Sequence, residues 1–269
     1  MNANLRGKSA LVTGAVSGIG RAITLALARE GVDVAMVDLR HDPQLLAEMK
    51  SLGVAPLSLV ADVSQEDQVA AAVGEVLATF GKLDLYINNA AGAWHEPVTR
   101  ITTESWLKTL NTNLTACMWG CREVGRHMVA RREGSILIVG STAQFNPGYG
   151  EAAYNASKLA LRSLCGTLAI EMAPHDIRVN LLVPGHHATG LTSRITNEAS
   201  ERVRAEIPLR RFGDVDACGS AAVFLLSDEL CPYTTGAELV VDGGLQLRPL
   251  SMYSEVEIAS LNATDVGGV

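Results

Sequence analysis

The chain is expected to fold as a three-layer α/β domain, a single doubly wound parallel sheet of seven strands with helices on both faces. Three observations lead there. Short apolar runs alternate with helix-period stretches along most of the chain. The first run breaks at a glycine-rich turn that opens a helix, and a second run closed by an acid follows it. The runs also end on small or polar residues (Gly14, Asp38, Asp62, Asn89, Ser141 and Pro184-Gly185), and parallel sheets bind ligands outside the carboxyl ends of their strands.

Residues 8–13 form the first strand, interrupted by Gly14-Ala-Val-Ser17-Gly18-Ile19-Gly20. A helix follows over about 19–29 and stops at Gly31. Residues 34–37 are a second buried strand, closed by Asp38, 18 positions past Gly20 (38 − 20). Glycines in such a turn let the backbone approach a pyrophosphate, and the helix start offers unpaired N–H groups and a positive dipole end. A carboxylate at that distance accepts hydrogen bonds from an adenosine ribose. The alternative is a turn with only a structural role; its place between strand and helix, with the acid beyond, favours binding.

The alternation continues with a helix over 43–51, a strand over 57–60 before Asp62, and a helix over 65–80. A strand over 83–87 runs into Asn88-Asn89-Ala90-Ala91-Gly92, and one long helix covers 103–131. A strand over 135–139 leads to Ser141, a helix covers 152–172, and a strand over 178–183 ends at Pro184-Gly185. A polar, helix-like segment over 188–207 reads as a mobile lid. Residues 208–213 then lead into another helix, and 239–241 supply the seventh strand, completing a Rossmann-like arrangement. Residues 1–244 read as the dinucleotide-binding and catalytic domain, and 245–269 as a C-terminal extension.

The bulk properties exclude several classes. The chain has 269 residues, 48% of them hydrophobic, ample for one large core. A net charge of −7 and a pI near 5.4, without a long Lys/Arg run, argue against nucleic acid as a partner. The N-terminus is short and polar, without a secretory apolar stretch, and no run reaches the ~18–20 residues of a membrane span. The five cysteines (Cys117, Cys121, Cys165, Cys218 and Cys231) form no Cys-x-x-Cys pair, which suits reduced thiols and a cytoplasmic location.

The chemistry is anchored at Tyr154-Asn-Ala-Ser-Lys158. On a helix, residues four apart share a face. A phenol ordinarily ionises near pH ~10, and an ammonium beside it favours the phenolate and lowers that value. A Tyr so tuned can exchange a proton with an alcohol or carbonyl oxygen. Taken alone, the pair also fits an ordinary amphipathic helix.

With these motifs in order, the chain resembles the short-chain dehydrogenase/reductase family over about residues 5–245. Thr13-Gly-Ala-Val-Ser-Gly-Ile-Gly20 resembles the family's cofactor loop, Asn88-Asn-Ala-Ala its fourth-strand motif, and Tyr154-x-x-x-Lys158 its catalytic pair with Ser141 upstream. Asn113, Arg178-Val-Asn, Pro184-Gly185 with Thr189, and Val241-Asp-Gly-Gly244 complete the likeness. The resemblance implies Tyr154 as proton donor or acceptor, Lys158 holding the nicotinamide ribose, Ser141 positioning the substrate oxygen, and Asn113 holding a water behind Lys158. It also implies that Gly14, Ser17, Gly18, Ile19, Gly20, Asp38 and Leu39 meet the dinucleotide, with Asp62 and Val63 at the adenine. Asn89 and Ala90 would line the ribose side, and Pro184, His187 and Thr189 the nicotinamide amide. Asp38 would repel a 2′-phosphate, so NAD is expected over NADP, with nearby Arg40 the contrary sign.

Residues of the two loops beyond the strands, Trp94, His95 and Glu96 on one and Gln144, Phe145 and Asn146 on the other, should overhang the pocket, as should Ser141 and His186. Their polarity points to a hydroxylated alcohol or ketone such as a sugar or polyol. His186-His187 departs from the family's usual aliphatic, and no further ligands at workable spacing suggest a metal. The helices over 103–131 and 152–172 are apolar on more than one face, which predicts a homotetramer or dimer. Leu247, Leu250, Met252 and Tyr253 of the extension either fray or dock on a neighbouring subunit. The rival functions are an NADPH-dependent 3-oxoacyl thioester or other ketone reductase and, outside enzymes, a dinucleotide-binding sensor or scaffold.

Overall fold

The computed structural model describes residues 2–188 and 197–247. Seven strands, β1 (Ser9–Thr13), β2 (Asp33–Asp38), β3 (Leu57–Val60), β4 (Leu85–Asn88), β5 (Gly134–Val139), β6 (Ile177–Pro184) and β7 (Glu238–Val241), form one sheet in the order β3-β2-β1-β4-β5-β6-β7. Every pairing is parallel. The central strands β1, β4 and β6 are buried along their whole length, whereas the edge strands β3 and β7 are half-buried. That gradient is what apolar runs produce when helices cover both faces of a parallel sheet.

One face carries α1 (Gly18–Arg29), α2 (Pro43–Ser51) and α8 (Val215–Leu226), whose apolar residues join one core with Val12, Met36, Ile87 and Leu137. The other carries α3 (Glu66–Phe80), α5 (Ala116–Arg131) and α6 (Ala152–Met172) around Tyr86, Ile136, Val179 and Leu181. The ends follow local chemistry. Asp42 caps α2 by accepting from the Gln44 and Leu45 N–H groups, and Pro43 fills its first turn. Gly81 ends α3 with φ 72°, the left-handed conformation that glycine tolerates. Arg178, nine-tenths buried on β6, donates to the Leu225 and Leu226 carbonyls and to Asp228, pinning the end of α8 to the sheet.

The expected long helix over 103–131 is continuous but not uniform. α4 (Thr103–Leu110) passes through a π turn at Asn111–Thr115 into α5. The extra residue in that turn brings Asn113 inward, to 1% exposure. Of the expected lid, α7 (Asn197–Glu206) is described, and residues 189–196, Thr189 among them, fall outside the described residues. So does the extension beyond Leu247, with Leu250, Met252 and Tyr253. No described helix is long and apolar enough to cross a membrane.

Candidate active site

The strand order reverses between β1 and β4, and there the carboxyl ends open a crevice. Thr13 and Asn89 close its floor. The Thr13 hydroxyl accepts from the Asn89 and Ala90 N–H groups at 3.0 and 3.1 Å, and the Asn89 amide donates to the Thr13 and Gly14 carbonyls, both at 3.0 Å. Glycine is required by this closeness. A Cβ on Gly14, at φ +64°, would stand 2.9 Å from Ala90 Cα, and one on Gly20 would overlap the Gly14 carbonyl oxygen. Ser17 makes no side-chain cap to α1, and the helix's first turn holds no acid, so its N–H groups face outward.

A cavity of about 640 Å³ lies over this turn. Gly14, Ser17, Gly18, Ile19 and Gly20 line one side, Asp38, Leu39 and Arg40 the second, and Asp62, Val63, Asn89 and Ala90 the third. The Asp38 carboxylate accepts from Leu39 N at 2.8 Å and Val16 N at 3.2 Å, so it braces the glycine turn while facing the cavity. Asp62 accepts from Ser64 N at 2.9 Å, a local turn bond that occupies one of its oxygens. Glycines pressed against backbone, outward N–H groups and a carboxylate at the end of β2 fit an adenine dinucleotide.

Ile19, Asn89 and Ala91 are shared with a second cavity of about 410 Å³. Ser141, Tyr154 and Lys158 line it, together with Pro184, His186 and His187. Ser141 follows β5, and its hydroxyl accepts from Ala143 N at 3.2 Å and is hydrogen-bonded to Tyr154. Tyr154 and Lys158 stand one turn apart at the start of α6, with Lys158 Nζ 5.7 Å from the Tyr154 ring centroid.

The electrostatics differ from the sequence expectation. Burial raises the Tyr154 phenol above its ordinary 10.0; the Ser141 hydrogen bond lowers it, and the Glu151 charge raises it further. Lys158 does not offset this, because its ammonium is turned to the Val139 carbonyl at 2.9 Å. Lys158 is itself 3% exposed, and burial pulls it down to about 8. Desolvation thus outweighs pairing at both groups.

Asn113 sits behind this pair rather than in it. Its amide accepts from Gly92 N at 2.8 Å and donates to the Gly92 carbonyl and to Ser157 Oγ at 2.9 and 3.1 Å. Ser157 in turn donates to the Tyr154 carbonyl at 2.7 Å. The π turn, the loop after β4 and the first turn of α6 are thereby tied together.

Two expected pocket residues face elsewhere. Trp94 lays its ring over Gly92, with Lys108 Nζ 4.7 Å from the ring centroid, and does not line the cleft. Stacking against a glycine and a cation covers more of its apolar face than a polar cleft would. Gln144, 8% exposed, donates to Glu238 on β7 at 3.0 Å and also leaves the cleft wall. His187 is 3% exposed, with Nδ1 3.1 Å from the Gly185 carbonyl and Nε2 3.3 Å from Cys218 Sγ. Its ring packs against Gly213, so the imidazole anchors the loop after β6 to α8. His95 and His186 do line the cleft. Desolvation lowers the His186 imidazole and His187 lowers it further, while Glu151 and Glu206 oppose this.

Asn146 lines the cleft as its loop position implies, whereas Glu151 and Glu206 escaped the sequence reading. Glu151 lies one helical turn before Tyr154, and that spacing was the available signal. Among the described residues no cluster of His, Cys, Asp or Glu could hold a metal ion.

Fold and site together define an oxidoreductase built around a dinucleotide crevice and a Ser-Tyr-Lys constellation. The sequence profile of the enoyl-(acyl carrier protein) reductase family matches residues 14–246. The chain is 35% identical to a 3-oxoacyl-acyl-carrier-protein reductase of Thermotoga maritima over 90% of its own length and 98% of the relative's. It is 36% identical to a 2-dehydro-3-deoxy-D-gluconate 5-dehydrogenase of Pseudoalteromonas atlantica, over 90% and 96%. The solved structure of an NAD⁺-bound xylitol dehydrogenase superposes with a TM-score of 0.83 at 30% identity, covering 90% of this chain and all of that one. The chain belongs to the short-chain dehydrogenase/reductase family, oxidoreductases that act on alcohol and ketone groups and bind NAD or NADP.

Proposed function

We propose that the protein is an NAD(H)-dependent dehydrogenase of a secondary alcohol/ketone pair whose substrate carries further hydroxyl groups, such as a sugar or polyol. The carrying observation is the cleft lining: beside Ser141 and Tyr154, and among apolar residues such as Ile19, Val139 and Leu245, stand the hydrogen-bonding groups of His95, Asn146, Glu151, His186 and Glu206. Asp38 supports NAD, because a carboxylate there accepts from a ribose diol and repels a 2′-phosphate.

A bound nicotinamide would supply the hydride chemistry, as acceptor for the carbinol carbon or donor to the ketone. Tyr154 takes the hydroxyl proton in the oxidation and gives it back in the reduction. Ser141 donates to the reacting oxygen and to the Tyr154 oxygen in turn. Lys158 supplies the positive charge of this buried corner and would hold the ribose hydroxyls. Asn113, through Gly92 and Ser157, fixes the loop and the helix turn on which these groups sit. In this reading residues 1–244 act as the dinucleotide-binding and catalytic unit and 245–269 as an appendage. The exposed Met118, Leu159 and Ile170 on α5 and α6 suit a homotetramer, and the location is cytoplasmic.

The relatives named as 3-oxoacyl reductases favour a second reading, NADPH-dependent reduction of a 3-oxoacyl thioester. A charged, imidazole-lined cleft and Asp38 count against it. The test is Tyr154→Phe, assayed by nicotinamide absorbance over alditols, ketoses, simple alcohols and 3-oxoacyl thioesters with both cofactors. NAD-linked oxidation of an alditol, lowered roughly 10²–10⁴-fold by the substitution while NAD binding persists, is expected. Turnover that survives the substitution, or activity confined to thioesters with NADPH, refutes the reading.

A further inference from the structure

The carboxylate of Glu151 makes no hydrogen bond to Ser141, Tyr154 or Lys158, yet it stands close enough for its charge to raise the Tyr154 pKa. It opens α6 one turn before Tyr154, lines the same cleft, and makes no side-chain cap to its own helix. Its side chain is 26% exposed and held from both sides. His95 Nδ1 lies 3.5 Å from one oxygen, and the Asn155 amide, turned to donate, lies 3.3 Å from the other. Gly148 makes room for it, since a Cβ there would stand 2.5 Å from the carboxylate. Asn146 lines the same cleft with a buried amide nitrogen that has no partner in the protein. Among the described lining residues Lys158 is the one Lys or Arg, and it is turned to Val139.

We infer that Glu151 is the specificity-determining residue of the cleft: it accepts a hydrogen bond from a substrate hydroxyl other than the reacting one, and it selects uncharged polyols and ketoses against their carboxylate analogues. The inference rests on the polar-substrate reading above and narrows it. Hydroxyls both donate and accept, so a neutral polyol can satisfy Glu151 and the Asn146 amide alike. A substrate carboxylate can only accept. Placed here it would face Glu151 across a partly desolvated space, with no guanidinium or free ammonium among the described lining residues to neutralise it. Hydrogen bonds to a charged partner separate competing ligands by roughly 10- to 100-fold.

The experiment measures kcat/KM with NAD for C4–C6 alditols and the matched aldonates, using the wild-type enzyme, Glu151→Gln and Glu151→Ala. Glu151→Gln keeps the shape and part of the hydrogen bonding while removing the charge; Glu151→Ala removes both. NAD binding, followed by fluorescence, establishes that each variant has its crevice assembled. The wild type is expected to favour the best alditol over its aldonate at least tenfold. Glu151→Gln lowers that ratio roughly 10- to 100-fold, chiefly through KM, and Glu151→Ala additionally weakens the alditol. A ratio unchanged in both NAD-binding variants, or a wild type that prefers the aldonate, overturns the assignment of Glu151. Turnover of simple alcohols or 3-oxoacyl thioesters with none of any alditol or aldonate overturns the polar-substrate reading itself, and this inference with it.

Discussion

Replacing Lys158 by methionine should make folding stability lose a specific dependence on pH. The ammonium is 3% exposed, and burial brings its pKa from the ordinary 10.5 down to about 8. Below pH 8 both the folded and the unfolded chain carry the proton, and the folded state bears the full cost of a buried charge. Between 8 and 10.5 the unfolded chain binds more protons than the folded one, so stability rises with pH across that window and falls as pH drops through it. The gap corresponds to about 3 kcal/mol at 1.36 kcal/mol per pKa unit. Methionine has a similar stem and no charge. It also loses the bond to the Val139 carbonyl, but that loss is the same at every pH and only offsets the curve. The assay is urea unfolding of both proteins at one protein concentration, at several pH values from 7 to 10.5. The wild type should gain about 3 kcal/mol on the variant between pH 7 and 10.5, with most of the change above pH 8. A difference that stays flat over this range would refute the claim that desolvation governs Lys158, and with it the view that the site holds a costly charge for the sake of function.

Three further outcomes follow from the same contacts. Gly20→Ala places a methyl group against the Gly14 carbonyl and the Asn89 amide, so dinucleotide binding should fall by more than tenfold, read by fluorescence titration, together with some loss of stability. Asp38→Ala should shift the NAD-to-NADP ratio of kcat/KM toward NADP roughly 30-fold, about 2 kcal/mol of like-charge repulsion in a half-exposed position, while weakening both cofactors because Val16 N and Leu39 N lose their acceptor. Asn113→Ala leaves the buried Ser157 hydroxyl and both polar groups of Gly92 short of a partner, and should cost about 1–3 kcal/mol in chemical unfolding besides lowering kcat.

How far the site could be read from the sequence depended on whether a residue's position is set by the strand that precedes it or by a neighbour distant in the chain. Gly14, Asp38, Asn89 and Ser141 each lie at or just past the carboxyl end of a parallel strand, so the alternation of apolar runs placed them before any contact was known. The seven strands were legible for the same reason, with edges moved by a residue or two at every strand but β3. Trp94 and Gln144 also follow strands, but their rotamers are decided by partners the local pattern does not contain: Gly92 with Lys108, and Glu238 across 94 positions. The π turn that carries Asn113 inward leaves no mark on an otherwise helical periodicity.

The Tyr154-Lys158 pair shows the same limit in energetic form. Spacing alone predicts that a cation four residues on stabilises the phenolate, and the spacing is as expected. What spacing cannot report is depth. At 3% exposure Lys158 spends its charge on the Val139 carbonyl, and the phenol, buried beside it and within the field of Glu151, is held protonated. The protein alone therefore arms Tyr154 as an acid, ready to give a proton to a ketone oxygen; working as a base in oxidation requires further positive charge or hydrogen bonding at the phenol oxygen. The physical consequence is an asymmetry in pH response: reduction should hold its rate through neutral pH, whereas alcohol oxidation should climb as pH rises toward the phenol's titration. Parallel measurement of kcat/KM in both directions from pH 6 to 10 checks this, and an oxidation rate already level at pH 6 would show that pairing, not burial, sets the proton affinity of Tyr154.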